Sequence, residues 1–588
     1  MKNIEKRLNK LINLCKERKV DGYIISTNDE YLNEYTPTYA QRLKWLTNFT
    51  GSNGIFFLID KEVNFFTDGR YTIQARKELP KNFKIFDLSE ISISNWIEKF
   101  MKDKKKKILV DSRVNSISFV KNLDKSLKQS NNVMKLNYKI VVDEIRKITK
   151  TIKVKSSFIL PIEIAGAHSQ EKIKLIKKKM DGFDGYIITS PESVCWLLNL
   201  RGSDLKFTPI IFSRIIISKK NGISLYVEKR KLNKNVVVYL KKLKIKIFGE
   251  DEIFDHINNF SNKKVLLDKD SAYVFLQLLS NCKASVKLID DLCKIEKSTK
   301  NEIELKNNKK IHLIDAKAII NFMFWLENQT ISHKLTEFNV SKKIEFFRAK
   351  NAEFFSPSFT TISASGENAA IIHYSPTAKI SKKLNNGELY LFDSGGQYPG
   401  GTTDVTRTII VGKKIAKKSY IDAYTRVLKG HLNLAMTIFP KNTRGIQLDA
   451  IARYNLWNNG MDYNHGTGHG VGSFLGVHEG PQSISKSLLN QSLKKGMIIS
   501  NEPGYYEENK FGIRIESLVF VKDSKFKNFY EFETLTMVPF ERELIDKEQL
   551  DLKQIKWINN YHSTVFEKLS DNLDVRTKNW LATKTLPI

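Results

Sequence analysis

Cysteine is scarce in this chain: Cys15, Cys195, Cys282 and Cys293 are the only four among 588 residues, and no two form a C-x-x-C pair. So few thiols exclude a disulfide-built scaffold and point to a reducing, cytoplasmic compartment. Long apolar runs are missing as well. No stretch approaches the ~18 consecutive apolar residues of a membrane span, and no membrane partner is expected. The N-terminal segment spaces Ile4, Leu8, Leu11 and Ile12 on one helical face without an unbroken apolar core, unlike a secretory signal. Acidic residues are under-represented, 64 against 96 Lys and Arg, for a net charge of +32. Such a charge would suit nucleic acid or a membrane surface. Its distribution argues otherwise. Lys104–Lys107, Lys177–Lys179 and Lys241–Lys246 lie scattered along the chain among many Asn and Ile residues, as solvated faces do. No specific nucleic-acid partner is expected.

What is there suffices for several ordinary cores. Hydrophobic residues make up 41% and aromatics 11%, which excludes a mainly disordered or fibrous chain. At about 150 residues per domain the length predicts three or four domains. A repeat organises the first half. Asp21-Gly-Tyr-Ile-Ile-Ser returns as Asp184-Gly-Tyr-Ile-Ile-Thr, 163 residues later. Each copy follows a basic amphipathic stretch, Ile4–Arg18 or Glu171–Met180. Each precedes a Trp-Leu pair, Trp45-Leu46 or Trp196-Leu197, in what reads as a loop ending at Gly51-Ser52 or Gly202-Ser203. The period is too long for a solenoid. Two copies of one α/β domain fit, with further strands over Gly54–Ile59 and Ile210–Ile217.

A third region starts near Lys297. Asn301–Asn328 predicts a long helix with Ile303, Leu305, Ile311, Ile314, Phe322 and Leu326 on its apolar side. From Phe354 to about Arg542 short strands alternate with glycine turns. Asp546–Ile588 spaces Trp557, Tyr561, Phe566 and Trp580 at helix-compatible intervals, the pattern of a packed tail or dimer contact.

The chemistry lies in this third region. Glu388–Asp393 and Thr402–Val411 read as strands joined by the turn Ser394-Gly-Gly-Gln-Tyr-Pro-Gly-Gly401. Asp393 ends the first strand. Alternation puts Asp404, Thr406 and Thr408 on one face of the second, so the two aspartates can converge. Taken alone, the pair reads more readily as turn and surface chemistry than as a site. His465-Gly-Thr-Gly-His469-Gly-Val-Gly, followed by His478-Glu-Gly-Pro, gathers three of the ten histidines within fourteen positions. Glycine there lets backbone approach a small ligand, although a flexible loop with incidental histidines reads the same way. The segment is neither G-x-G-x-x-G nor H-E-x-x-H, and it lacks the lysine of a phosphate loop. An apolar strand over Ile498-Ile-Ser-Asn ends at Glu502, before a proline. In Phe511-Gly-Ile-Arg514-Ile-Glu516, alternation places Arg514 and Glu516 on one face. Together these pieces make four carboxylates and one imidazole. Four unpaired buried negative charges would be very unstable. Two divalent cations held about 3.5–4 Å apart resolve the repulsion. One histidine among oxygen donors favours Mn, Co or Zn over a thiolate-type metal.

The order Asp393, Asp404, His469, Glu502, Glu516 resembles the dinuclear metal site of the pita-bread metallopeptidases. Ile371-Ile-His373-Tyr, the His465–Gly472 segment, Val477-His478-Glu-Gly-Pro, Asn501-Glu-Pro-Gly-Tyr-Tyr506 and Gly512-Ile-Arg-Ile-Glu516 resemble aminopeptidase P, the Xaa-Pro aminopeptidase family. Thr67-Asp-Gly-Arg-Tyr71, Asn199-Leu-Arg-Gly-Ser-Asp204 and Trp557-Ile-Asn-Asn-Tyr-His562 extend the likeness to the long, three-domain cytosolic form. The resemblance implies an α/β (α+β) chain. Two creatinase-N-like α/β domains, 1–155 and 156–297, would precede a pita-bread catalytic domain, 298–542, and a helical tail, 543–588. It implies that Asp393 chelates one metal, that Asp404 and Glu516 bridge both, and that His469 and Glu502 complete the other shell. It implies Mn²⁺, with Co²⁺ or Zn²⁺ as alternatives. His373, His465, His478, Tyr506 and Arg514 match substrate-orienting and outer positions. The implied reaction releases the N-terminal residue from short peptides with proline second, by attack of a metal-bridging hydroxide. Glu502 would shuttle the proton, and His373 and His478 would donate to the carbonyl or oxyanion. Arg514 would orient Glu516 or a substrate group. The resemblance also implies a homodimer.

Three other readings compete. A prolidase would use the same metals but demand a dipeptide with a free carboxylate. A methionine aminopeptidase would not need the two leading repeats. A non-catalytic pita-bread binding module would be expected to lose metal ligands, and all five stand here. A serine hydrolase is disfavoured by the absence of G-x-S-x-G.

Overall fold

The computed structural model describes residues 2–147, 155–329, 335–412, 414–488 and 491–588. It forms two compact units. The first comprises Met1–Leu160, Ala167–Lys206 and Ile210–Lys294; the second comprises Pro161–Gly166, Phe207–Pro209 and Ile295–Ile588.

In the first unit, two six-stranded mixed sheets share one strand order. The first runs Lys84–Asp87, Glu62–Thr67, Ile55–Ile59, Gly22–Ser26, Lys107–Asp111, Val133–Asn137. The second runs Ile245–Phe248, Gly222–Val227, Ser213–Ser218, Gly185–Ile188, Lys264–Asp268, Ser285–Ile289. In both, the Asp-Gly-Tyr-Ile-Ile strand is central, antiparallel to one neighbour and parallel to the other. All its residues are buried, which explains an unbroken apolar run without alternation. The motif tyrosines do equivalent work. Tyr23 donates its hydroxyl to buried Asp111, and Tyr186 donates to buried Asp291 at 2.6 Å. The two Trp-Leu pairs are not in loops: they lie on short helices, Arg42–Thr47 and Pro191–Leu197. Leu46, Trp196 and Leu197 are buried there.

In the second unit, the long helix spans Glu302–Glu327. Asn301 caps its N-terminus in a reciprocal box with Glu304, and Asn328 ends it. At 1.5 Å per residue it is roughly 39 Å long. It packs on helix Glu337–Ala349 and, with helices Lys418–Ala435, Leu552–Leu569 and Val575–Lys584, encloses a core that includes Phe322, Phe392, Tyr424, Ile515 and Val565. The tail thus packs into this core through Tyr561 and Trp580. Two sheets carry the residues of interest. One orders Ile362–Ser365, Leu389–Ser394 and Val405–Ile410; the other orders Ile438–Pro440, Phe529–Thr534, Ser517–Asp523 and Ile498–Asn501.

Candidate metal centre

Strands Leu389–Ser394 and Val405–Ile410 pair antiparallel with Asp393 opposite Thr406. The register sets Asp404 one residue before its strand, beside Asp393. The turn between them is not a plain loop, since Gly396–Tyr398 pairs with Gly401–Thr402. Glu516 reaches the same place from another direction. Its backbone N–H donates to Thr406 O at 3.1 Å, and its carboxylate accepts from Thr406 Oγ1 at 2.8 Å. Ligand atoms of Asp404, His469 and Glu516 all lie within 4.8 Å of one another. His469 Nε2 is 3.5 Å from Asp404 Oδ2 and 3.4 Å from Glu502 Oε1.

The glycines beside His469 answer a packing demand. A Cβ on Gly468 would sit 1.9 Å from Ser500 O, so only glycine lets the histidine loop lie against the strand that leads to Glu502. Ser500 Oγ then serves both sides, accepting from His469 N at 2.9 Å and donating to Glu502 Oε1 at 3.0 Å.

Burial grades across the cluster. Asp393, Asp404 and Glu516 form a buried floor, His469, Glu502 and His373 are half-buried, and His478 is exposed. A ligand therefore approaches from the imidazole side. The His469 and His478 rings meet edge to face, 4.4 Å apart. Glu479, next to His478, is buried between the Lys297 and Lys300 ammoniums, each at 3.0 Å, which anchors that end of the loop.

Electrostatically the floor crowds three carboxylates together, with Arg514 paired to one of them, Asp393, at 2.7 Å. Burial, and then Asp393 and Glu502, hold the Asp404 carboxyl well above the usual carboxylate range. Burial, followed by Asp404 and Glu502, does the same to Glu516, and Glu502 is raised chiefly by burial. Asp393 Oδ1 and Asp404 Oδ1 are buried without a hydrogen-bond partner. A buried carboxylate oxygen with no donor is costly. Oxygen-rich, converging and short of donors, this set fits divalent cations.

Arg514 and Glu516 both join the carboxylate cluster while Ile513 and Ile515 enter the core, but not on one continuous strand, because strand Phe511–Arg514 stops before Glu516 and the next begins at Ser517. The Arg514 guanidinium turns to Asp393 Oδ2 at 2.7 Å and to Tyr506 OH at 2.8 Å. His465 Nε2 lies 2.8 Å from the same hydroxyl. Burial pushes the Tyr506 phenol up to about 12. Burial would lower Arg514, yet Tyr506, Asp393 and Glu502 outweigh it and hold it charged. Every candidate residue thus falls in or beside one cluster, with His373 placed through Ile372, whose carbonyl accepts from Arg514 at 3.4 Å.

The sequence reading missed the residues behind this cluster. Arg407 is fully buried and donates to the carbonyls of Thr406, Glu516, Val538 and Pro539 and to Tyr561 OH. It ties the strand that follows Asp404, and the backbone of Glu516, to the tail. Arg453 links Asp449, Tyr463 O and His465 O, and Arg348 links Asp315 to Ser394. A lone charge in an otherwise uncharged, β-branched strand, as in Thr406-Arg-Thr-Ile-Ile, was the available signal for Arg407.

Comparison with known proteins agrees with this geometry. Residues 306–523 match the model of metallopeptidase family M24, and 528–588 match the C-terminal region of that family. Residues 7–148 and 149–304 each match a creatinase/prolidase N-terminal domain. Xaa-Pro aminopeptidase 1 of Dictyostelium discoideum is 36% identical over 100% of this chain and 97% of its own length. The crystal structure of X-prolyl aminopeptidase from Caenorhabditis elegans, described as a cytosolic enzyme with a di-nuclear active site, superposes with a TM-score of 0.95 at 29% identity, covering all of both chains. The prolidase of Pyrococcus horikoshii, 27% identical, covers 64% of this chain and all of its own, with a TM-score of 0.51.

Proposed function

We infer that this chain, which belongs to metallopeptidase family M24, removes the N-terminal residue from peptides that carry proline in second position, with two divalent metal ions as cofactors. The observation that carries this reading is the buried floor of Asp393, Asp404 and Glu516 beneath His469 and Glu502, with two aspartate oxygens lacking donors. Asp393 would hold one ion, Asp404 and Glu516 both, and His469 and Glu502 the other. Mn²⁺ is the proposed metal, in keeping with one imidazole among oxygen donors. When bound, the ions supply a water acidic enough to ionise near neutral pH and a Lewis acid for the scissile carbonyl.

The chain's own groups do the rest. Glu502, half-buried and held by Ser500 Oγ, is placed to take a proton and return it to the leaving proline nitrogen. His478, which is exposed, and His373, which is half-buried, would donate to the carbonyl oxygen and to the oxyanion it becomes. Arg514, Tyr506 and His465 form one line of contacts that orients Asp393. An Xaa-Pro bond has no N–H and a fixed ring, so the pocket must accept the ring itself.

Divisions after residues 155, 297 and 542 are proposed, with the leading domains restricting access to short peptides and supporting a homodimer. A cytoplasmic location is proposed from the scarcity of cysteine and the cytosolic description of the C. elegans enzyme. Among the described residues no helix is long and apolar enough to cross a membrane.

The test is hydrolysis of Arg-Pro-Pro by chelator-stripped protein before and after Mn²⁺ addition, with Asp404→Ala as control. Free Arg released only with metal, and only by the unmutated chain, is the expected result. Cleavage of Xaa-Pro dipeptides without cleavage of Arg-Pro-Pro would make it a prolidase. Silence on both, with two metals bound, would leave a binding module.

A further inference from the structure

Glu337 opens helix Glu337–Ala349 and is fully buried, and among the described residues no ammonium or guanidinium pairs with its carboxylate. Its carboxylate is instead a hub for neutral donors. Oε1 accepts from Ser365 N at 2.8 Å and Asn368 Nδ2 at 3.1 Å. Oε2 accepts from Tyr374 OH at 2.8 Å and Lys382 N at 2.7 Å. Its backbone joins in, with Glu337 N donating to Lys382 O at 2.9 Å and Glu337 O accepting from Ser363 Oγ at 2.7 Å. All these partners bracket one segment, 363–382, and His373 lies within it.

The opposite side of that segment is held by the metal-site strand. A Cβ on Gly512 would meet Ala369 O at 1.9 Å, so strand Phe511–Arg514 touches the segment's backbone directly. Arg514 Nη2 reaches both Ile372 O, at 3.4 Å, and Asp393 Oδ2, at 2.7 Å. The residues on either side of His373 are therefore fixed independently: Ile372 by the arginine that holds a floor carboxylate, and Tyr374 by Glu337.

We propose that Glu337 is a positioning residue for the reaction: by gathering Ser365, Asn368, Tyr374 and Lys382 it fixes the segment that presents His373 to the substrate carbonyl. This rests on the reading of His373 as a donor to that carbonyl. The physical requirement is an acceptor-only group. A carboxylate satisfies donors on both oxygens, whereas an amide of the same shape turns one oxygen into a donor facing other donors. Burial makes that mismatch expensive and lets the segment drift. Positional errors of about 1 Å at a catalytic group cost up to about 10²-fold in rate.

The experiment uses Mn²⁺-loaded full-length protein and Arg-Pro-Pro, comparing Glu337→Gln, Tyr374→Phe, His373→Ala and the double variant Glu337→Gln/His373→Ala. Glu337→Gln is expected to lower kcat about tenfold or more with little change in KM. Tyr374→Phe, which removes one hydroxyl and no charge, lowers kcat by a smaller factor. Mn²⁺ bound per chain stays at the wild-type value in both. The double variant is expected to be no slower than His373→Ala alone, because the segment has lost the group it positions. Wild-type kcat in Glu337→Gln and Tyr374→Phe, loss of bound Mn²⁺, or losses that multiply in the double variant would each overturn the proposal. Should Glu337→Gln fail to fold, Tyr374→Phe alone and combined with His373→Ala gives the same comparison. A fully active His373→Ala would instead remove His373 from the mechanism, and the proposal with it. A slow His373→Ala beside an unimpaired Glu337→Gln removes only the proposal.

Discussion

Both halves of this molecule bury carboxylates at strand ends, and they treat them in opposite ways. In the first unit Asp111 closes strand Lys107–Asp111, where it accepts from Tyr23 OH, Asn137 Nδ2 and Val141 N. Asp291 accepts from Tyr186 OH, Ser193 Oγ and Cys293 N. In the second unit Asp393 and Asp404 stand at a strand end and a strand start, with carboxylates for neighbours and one oxygen each without a donor. The lesson is about company rather than burial. A buried carboxylate whose oxygens are all served by hydroxyls and amides is part of the frame, whereas Asp393 and Asp404, crowded by other carboxylates and each left with one oxygen that even Arg514 does not reach, suit a further cation. Net charge does not mark the difference. Lys and Arg outnumber Asp and Glu by 56 to 33 over residues 1–294 and by 40 to 31 over 295–588, so the half without the acidic cluster carries most of the excess.

The comparison is broken most severely by Asp404→Ala. Bound Mn²⁺ should fall, and Arg release should drop by more than the ~100-fold that loss of an outer-shell partner costs. Metal analysis and a peptide assay read both; retained metal with retained turnover would place the site elsewhere. Next comes Arg514→Met, which leaves the ligands and removes the group holding Asp393. Turnover should fall about 10–100-fold. Titration with Mn²⁺ should show the stoichiometry kept, and a chain that binds no metal would instead make Arg514 part of the metal's own hold.

The other side of the comparison is probed by Asp111→Ala. Tyr23 OH and Asn137 would lose an acceptor, costing about 1–3 kcal/mol in stability. Turnover per folded molecule and metal content should not change. Urea midpoints with parallel assays check this, and a specific loss of kcat would show that the frame carboxylates belong to the site.

The smallest effect is pH-dependent. Burial pushes His431 and His562 down to about 3, and His562 Nε2 accepts from Phe540 N, which requires a neutral ring. With the folded pKa depressed, the unfolded chain binds the extra proton. Stability is then whole above the unfolded pKa of about 6.5 and is lost as pH falls from there towards 3. Each ring contributes about 1.4 kcal/mol per pH unit in that window. In metal-free protein, His431→Gln should flatten the fall in thermal midpoint between pH 6.5 and 5 relative to wild type. An unchanged slope would mean the ring is accessible to protons.

Local chemistry made much of this legible. The helix Glu302–Glu327 starts at Asn301 and stops at Asn328 because both are capping residues in sequence as in space. Its capping pair, Asn301 and Glu304, is written three residues apart. Strand Ile498–Asn501 ends where Pro503 forbids continuation. Elements whose boundaries depend on distant partners were not legible. Strand Ser213–Ser218 starts three residues later than apolarity indicates, because pairing with Gly222–Val227 sets its limits. The Trp-Leu pairs read as loops because the six- and seven-residue helices that hold them are too short to show a period.

By itself the sequence determined the doubled α/β half, the pattern of strands and glycine turns in the catalytic half, and the four carboxylates and one imidazole of the proposed metal set. Those follow from periodicity, from the backbone freedom of glycine and from the charge that four carboxylates must share. Tertiary structure decided the supports. That Arg514 turns to Asp393, that Arg407 joins the strand after Asp404 and the Glu516 backbone to the tail, and that Glu337 holds the segment of His373 are pairings between residues 28 to 154 positions apart. Side chains that distant meet only after the chain has closed. Burial then gives such hydrogen bonds their weight, and no local pattern encodes which distant donor will find which acceptor.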